Sequence, residues 1–96
     1  MVLSVITTMN MIEYKKLYLN FFGYGEQSYI PCELCGNFAV DVHHIYPKGM
    51  GGSKTKDHIE NLMGVCRYCH DRAHAHQYTK GYLTIVHLKF MKEHIL

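Results

Sequence analysis

The chain has 96 residues, and this length predicts a single domain spanning residues 1–96. Hydrophobic residues make up 48% of it and charged residues 19%, a balance that excludes a disordered chain. The formal net charge of +2 is too small to create an overall basic field, so any contact with nucleic acid must come from local charges.

Small domains often need a metal or disulfides, because a chain of this size buries only about two thirds of its unfolded surface. Four cysteines and eight histidines could meet that need. The apolar run within residues 1–10 is too short for a signal peptide or a membrane span, and no later segment is longer. We therefore expect a cytoplasmic protein without membrane contact, whose reduced cysteines favour metal over disulfides.

The first predicted element is a helix over about residues 11–22. Asn10 and Glu13 have the spacing of a capping box. Gly23 can end the helix in the left-handed conformation. The helical period places four apolar side chains on one face, which are Met11, Tyr14, Tyr18 and Phe21.

Two strands and two more helices are predicted after the first helix. The alternating segment "NFAVDVHHI" and the short segment "NLMGV" indicate strands. The polar segment between them, "YPKGMGGSKTKDHIE", is long for so small a domain and is therefore expected to be functional. "CRYCHDRAHAHQY" predicts a helix. "GYLTIVHLKFMKEHIL" predicts a final helix over about residues 81–95, although "YLTIVHL" also fits a strand. These elements together predict an α+β fold.

The cysteines form two C-x-x-C pairs, Cys32 with Cys35 and Cys66 with Cys69. Two such turns can supply the four sulfur ligands of a structural zinc, which leaves no coordination position open. Redox pairs and buried thiols are the alternatives. "CRYCH" is also the attachment signature of a c-type haem. A haem, however, would leave Cys32 and Cys35 without a role. Covalent haem attachment also normally follows export, and the sequence shows no export signal.

Four histidines are candidates for a second site. His70 and His74 are separated by one helical turn, so both imidazoles lie on one face. His43 and His44 end the first predicted strand, where neighbouring side chains point to opposite faces. A twist or a bulge would be needed to bring both to one edge. The remaining histidines are expected on the surface or in packing, namely His58, His76, His87 and His94.

The segment "CELCGNFAVDVHHIYPKGMGG…DHIENLMGVCRYCHDRAH" strongly resembles the HNH endonuclease family, also called His-Me finger or ββα-metal nucleases. The matching features lie within residues 32–74: both C-x-x-C pairs, His-His-Ile, the Pro and Gly-Gly of the loop, "ENL", and "CH" followed by a further histidine. The resemblance implies a ββα-metal core with zinc knuckles, flanked by N- and C-terminal helices. It also implies metal-dependent hydrolysis of DNA phosphodiester bonds.

The same resemblance implies roles for individual residues. His44 matches the general base that takes a proton from the attacking water, and Asn61 matches the residue that holds the loop and thereby orients the base. His43, His70 and His74 match the ligands of one catalytic divalent metal. Imidazole ligands favour Zn²⁺, Ni²⁺ or Mn²⁺ over Mg²⁺, which prefers oxygen. The expected cofactors are thus this ion and a structural Zn²⁺.

DNA is the expected partner, and five basic residues are expected to contact its phosphates: Lys48, Lys54, Lys56, Arg67 and Arg72. A solvated loop is the alternative for the three lysines. A catalytically inactive, zinc-stabilised nucleic-acid-binding or adaptor module is the alternative for the whole chain. Because small proteins of this family are often phage-encoded beside packaging genes, the resemblance also suggests phage packaging proteins as partners in a bacterial host.

Overall fold

The structure is a computed structural model that describes residues 13–25, 28–47 and 57–95. Its elements in chain order are helix α1 (Glu13–Phe22), strand β1 (Asp41–His44), a 3-10 turn (Ile59–Asn61), strand β2 (Leu62–Val65), helix α2 (Arg67–His74) and helix α3 (Lys80–Ile95). This order confirms the predicted α+β fold with flanking helices. The final segment, which also fitted a strand, is helical from Lys80 to Ile95. Among the described helices, none has both the length and the hydropathy that crossing a bilayer requires.

Helix α1 ends where the sequence predicted, because Gly23 adopts a φ of 68°. Tyr18 of the predicted apolar face is fully buried, whereas Tyr14 and Phe21 are only partly buried. The buried face also includes two further residues, Leu19 and Phe22. The capping residue Asn10 and the apolar Met11 lie outside the described residues.

The sheet consists of β1 and β2, paired antiparallel from Asp41 opposite Val65 to His44 opposite Leu62. Alternation along β2 divides the core into two clusters. Leu62 packs with Val42 and the apolar side chains of α1. Met63 and Val65 pack instead with the cysteines, with Ala73 of α2 and with Leu83 of α3. The sheet therefore has one face toward α1 and the other toward α2.

A buried polar network connects the first cysteine turn to both flanking helices. Glu33 lies inside that turn, and its carboxylate accepts hydrogen bonds from Tyr18 (2.5 Å) and from the backbone of Gly64 (3.2 Å). Its other oxygen lies 2.7 Å from Nδ1 of His87, and both side chains are fully buried. Nε2 of His87 is 2.6 Å from the carbonyl oxygen of Ile59. His87 is thus a packing residue, as expected, but one with a buried acidic partner.

Candidate functional site

The four cysteines converge on one point. Their sulfur atoms all lie within 4.8 Å of one another, and Cys35 Sγ is 3.6 Å from Cys66 Sγ. Sulfurs that are 2.3 Å from a tetrahedral zinc are separated by about 3.8 Å, so the spacing fits that ion. None of the four forms a disulfide. Both cysteines of "CRYCH" belong to this cluster, which gives Cys32 and Cys35 the role that a haem would not.

Local backbone structure forms each cysteine turn. In the first, the N–H of Gly36 donates to the carbonyl of Cys32 at 2.9 Å, and Gly36 adopts a φ of 84° that favours glycine. In the second, Cys66 caps α2, and its sulfur accepts from the N–H of Cys69 at 3.4 Å.

The protonation of the cysteines supports a cation at their centre. Burial raises the pKa of the thiols of Cys32 and Cys69. Although burial also acts to raise the pKa of Cys35, the backbone N–H of Asn37 and the neighbouring thiols lower it. The cluster by itself thus favours few negative charges, and a divalent cation would offset the cost of deprotonating all four thiols. The donor set therefore fits zinc.

Three histidines form a second cluster between α2 and β1. His70 and His74 project from α2 as the sequence predicted, with Nε2 atoms 3.0 Å apart. His43 meets them from β1, with its ring centroid 5.1 Å from that of His70 and 5.2 Å from that of His74. One nitrogen from each ring lies within 4.8 Å of the other two, so the three residues could hold a metal ion.

The electrostatics of this cluster keep its nitrogen lone pairs available. Burial and the adjacent imidazoles of His70 and His74 lower the pKa of His43 to about 4. Burial also lowers the pKa of His70. Nδ1 of His70 is buried and has no hydrogen-bond partner among the residues that the structure describes. It lies 3.7 Å from a carboxylate oxygen of Asp41, whose other oxygen is 3.2 Å from Lys15. Histidine ligands commonly have a carboxylate behind the ring, and the arrangement fits that pattern.

His44 lies on the other face of β1 from His43, because the sheet register runs through both residues without a bulge. Its Nε2 is 2.7 Å from Oδ1 of Asp57, and the ring of Tyr14 contacts it edge-on with a centroid distance of 4.5 Å. His43 and His44 nevertheless both line one cavity of about 420 Å³, together with His70 and His74. The two neighbours therefore border the same cavity although the register between β1 and β2 contains no bulge.

Asn61 holds the chain immediately after His44. Its side chain makes two hydrogen bonds to the backbone of Tyr46, accepting from the N–H at 2.8 Å and donating to the carbonyl at 3.0 Å. Its own carbonyl accepts from the N–H of Ile45 at 3.0 Å. Asn61 is only 2% exposed, so these bonds are protected from water. The side chain thus braces the backbone just after the end of β1.

The predicted basic residues divide into two groups. Arg67 and Arg72 lie on α2, and Arg67 is paired with Asp71 at 3.5 Å. The Arg72 guanidinium lies between two tyrosine rings, 5.3 Å from the centroid of Tyr68 and 5.2 Å from that of Tyr78. Lys48, Lys54 and Lys56 lie outside the described residues.

Sequence reasoning missed several residues around the cavity. Asp57 was not distinguished from the rest of the polar loop, although it precedes Asn61 by four residues in "DHIEN". Asp41 was treated only as a strand residue. Tyr68 precedes Arg72 by one helical turn, a spacing that the sequence shows but that was not used. Tyr78 contacts Arg72 only through the turn between α2 and α3.

Comparisons with known proteins agree with this geometry. Residues 32–76 match the family model described as HNH endonuclease. The chain is 41% identical over 44 residues to a protein of Escherichia coli (strain K12) described as "Uncharacterized protein YdfU". That alignment covers 46% of this chain but only 13% of the relative, so the chain spans a small share of the relative's length. No solved structure matches the chain.

Proposed function

Since residues 32–76 match the HNH endonuclease family, we propose that this protein is a metal-dependent endonuclease that hydrolyses phosphodiester bonds of DNA. The observation that carries the proposal is the meeting of three histidine ligands with a fourth histidine, His44, in one cavity. Two of the ligands come from α2 and one from β1, so the cavity exists only when the sheet and helix pack together.

Two metal ions with different roles belong to the proposal. The cysteine cluster would hold a structural zinc, and His43, His70 and His74 would hold a catalytic divalent ion. Neutral imidazole nitrogens favour Zn²⁺, Ni²⁺ or Mn²⁺ as that ion, with Mg²⁺ the less suited. When bound, such an ion supplies positive charge that stabilises the developing charge on the phosphate and the leaving oxygen.

His44 is the residue proposed as the general base. It lines the cavity but lies apart from the three-histidine cluster, so its ring is not needed as a ligand. It would accept a proton from the attacking water, a role suited to imidazole near neutral pH. Asn61 would support this role through the backbone, since its bonds to Tyr46 fix the path of the chain that leaves β1.

The surface next to the cavity offers groups that suit nucleic acid. Arg67 and Arg72 can contact phosphates, which position the substrate without reading its sequence. Tyr68 and Tyr82 are 65% and 50% exposed, and the ring of Tyr82 stacks on Tyr78 with an interplanar angle of 17°. Exposed aromatic rings beside cations can stack on bases. The loop lysines would add contacts, while phage packaging proteins remain partners suggested only by the resemblance.

A plasmid-nicking assay tests the proposal. Purified protein should nick supercoiled DNA when Mn²⁺, Ni²⁺, Zn²⁺ or Mg²⁺ is supplied, and EDTA should abolish nicking. His44→Ala should lower the single-turnover rate by about 10²- to 10⁴-fold, because general-base catalysis contributes on that scale. His58→Ala is the matched control, since His58 is an exposed histidine paired with Glu60.

Two results would argue against this function. DNA binding without nicking under any of these ions would favour the inactive binding or adaptor module. Nicking by His44→Ala at the wild-type rate would remove His44 from the role of base while leaving the nuclease assignment intact.

A further inference from the structure

We propose that Asp57 is a positioning residue that fixes the His44 imidazole in its Nε2–H tautomer, so that Nδ1 is the atom that accepts the proton. The proton transfer rests on the proposed function. The tautomer does not, because it is a property of the folded chain and can be measured without DNA.

The contact between the two side chains determines the tautomer. Nε2 of His44 lies 2.7 Å from Oδ1 of Asp57, a hydrogen-bond distance. An ionised carboxylate only accepts hydrogen bonds, so Nε2 must carry the hydrogen. A neutral imidazole has one N–H, and the lone pair therefore lies on Nδ1. The side chains are 13% and 18% exposed, so water competes little for the contact.

Nδ1 of His44 is placed to accept a proton. It makes no hydrogen bond to any residue within the ranges 13–25, 28–47 and 57–95, and His44 is among the residues that line the cavity beside the three-histidine cluster. Tyr14 meets the ring at an interplanar angle of 64° and restricts how far it can tilt. The carboxylate and the tyrosine thus hold the imidazole from two sides.

Asp57 is itself attached to an anchored stretch of chain. In the five-residue segment 57–61, the carbonyl of Ile59 is 2.6 Å from Nε2 of the buried His87. Asn61 at the end of this segment holds the backbone that follows His44. The same segment therefore holds both the backbone after His44 and the tip of its ring. A base oriented in this way needs little reorganisation before reaction.

The competing explanation is that Asp57 only ties the loop to β1 as an ion pair. A loop tie would tolerate either tautomer and would require only that some polar contact remain. A positioning role requires the carboxylate, because an amide can also donate to Nε2 and so stabilise the Nδ1–H form. Asp57→Asn, which has nearly the same shape, separates the two explanations. The corresponding Asp→Asn change in a serine protease triad lowers activity because the triad histidine then adopts the wrong tautomer.

The first measurement is the ¹⁵N–¹H correlation spectrum of histidine side chains in the zinc-loaded protein, recorded without DNA at a pH where imidazoles are neutral. Wild-type His44 should show a protonated Nε2 and an unprotonated Nδ1. Asp57→Asn should add a signal from the Nδ1–H tautomer. Glu60→Ala is the matched control, because it removes the exposed carboxylate beside His58 on the same segment and should leave the His44 signals unchanged.

The second measurement is steady-state nicking. Asp57→Asn should lower kcat by about 10²-fold, the scale on which misplacement of a catalytic group acts, and should leave KM near the wild-type value. Circular dichroism of Asp57→Ala shows whether loss of the side chain affects folding. If Asp57→Ala is misfolded, the tautomer and kcat of Asp57→Asn decide the question.

An Nδ1–H tautomer in the wild type would overturn the proposal, as would an Asp57→Asn variant with unchanged signals and unchanged kcat. A wild type that shows the expected tautomer but never nicks DNA would instead refute the nuclease function and leave the Asp57–His44 assignment standing.

Discussion

The cysteine cluster and the histidine cluster both take ligands from α2 or its N-cap, yet they are built for different tasks. Three of the four cysteines are buried, and the sulfurs come from two tight turns separated by thirty residues of sequence. The three histidines border a cavity, and His74 is exposed. The first cluster holds distant parts of the chain together, whereas the second leaves room for a further molecule.

The difference shows how one short helix can serve two sites. Cys69 and His70 are adjacent, and the helical rotation of about 100° per residue directs them to different sides of α2. The cysteine side packs against Val65 and Leu83. The histidine side faces β1 and the cavity. A change on one side should therefore affect folding, and a change on the other should affect metal-dependent activity.

The largest effect is expected from Cys66→Ser. It removes one ligand from the buried cluster and also the sulfur that caps α2. Because the binding free energy of a structural zinc is folding free energy, the variant should lose most of its zinc and its cooperative unfolding transition. Zinc content and thermal unfolding by circular dichroism measure this. A folded variant with full zinc content would contradict the structural role.

His70→Ala should disrupt the histidine cluster and leave the cysteine cluster intact. The variant should keep the zinc of the cysteine cluster and its far-ultraviolet circular dichroism, because the remaining core is intact. It should lose the second ion and with it nearly all nicking. Mild chelation of the wild type should produce the same separation. If helicity is lost in parallel with activity, the two clusters are not independent.

The buried pair of Glu33 and His87 should make stability depend on pH. Although burial acts to lower it, the hydrogen bond and charge of Glu33 raise the pKa of His87 above its ordinary value. A raised pKa gives stability that is complete below the unfolded value of about 6.5 and is lost as pH rises through the folded value. His87→Gln should cost about 1–3 kcal/mol at neutral pH and less as the pH rises.

Denaturant unfolding at several pH values measures this difference between wild type and His87→Gln. His94→Gln is the control, because His94 lies in the same helix and packs against the ring of Phe22 at 4.9 Å. A constant gap between wild type and His87→Gln over the whole range would show that folding does not shift the pKa of His87.

The smallest effect is expected from Tyr68→Leu on α2. Tyr68 contacts Arg72 through its hydroxyl at 3.0 Å and through its ring, and is otherwise exposed. Losing one stacking surface should weaken DNA binding by roughly 5- to 100-fold without changing metal content. Fluorescence anisotropy with labelled DNA measures the loss. Tyr29→Leu, at an exposed tyrosine of the first cysteine turn, should bind like the wild type.

Much of the candidate site could be predicted because its spacing is local. Two C-x-x-C turns and the one-turn separation of His70 and His74 follow from backbone geometry, and the stop at Gly23 follows from its freedom to adopt positive φ. These features need no knowledge of distant contacts. They predicted the cysteine cluster and the pairing of His70 with His74 and, with the strand patterns, the α+β class. His43 was added to the histidine ligands only by the resemblance to the HNH family.

Tertiary packing alone decided the rest. His44 meets Asp57, and His87 meets Glu33 across 54 residues of sequence, only after β1 and α3 have packed against the 57–61 segment. Packing also placed His43 and His44 in one cavity from opposite faces of a strand. The sequence by itself determined which ligands are spaced for a metal, since covalent spacing is fixed along the chain. Which side chains face them depends on how the elements pack, and that is settled only by burial of the whole core.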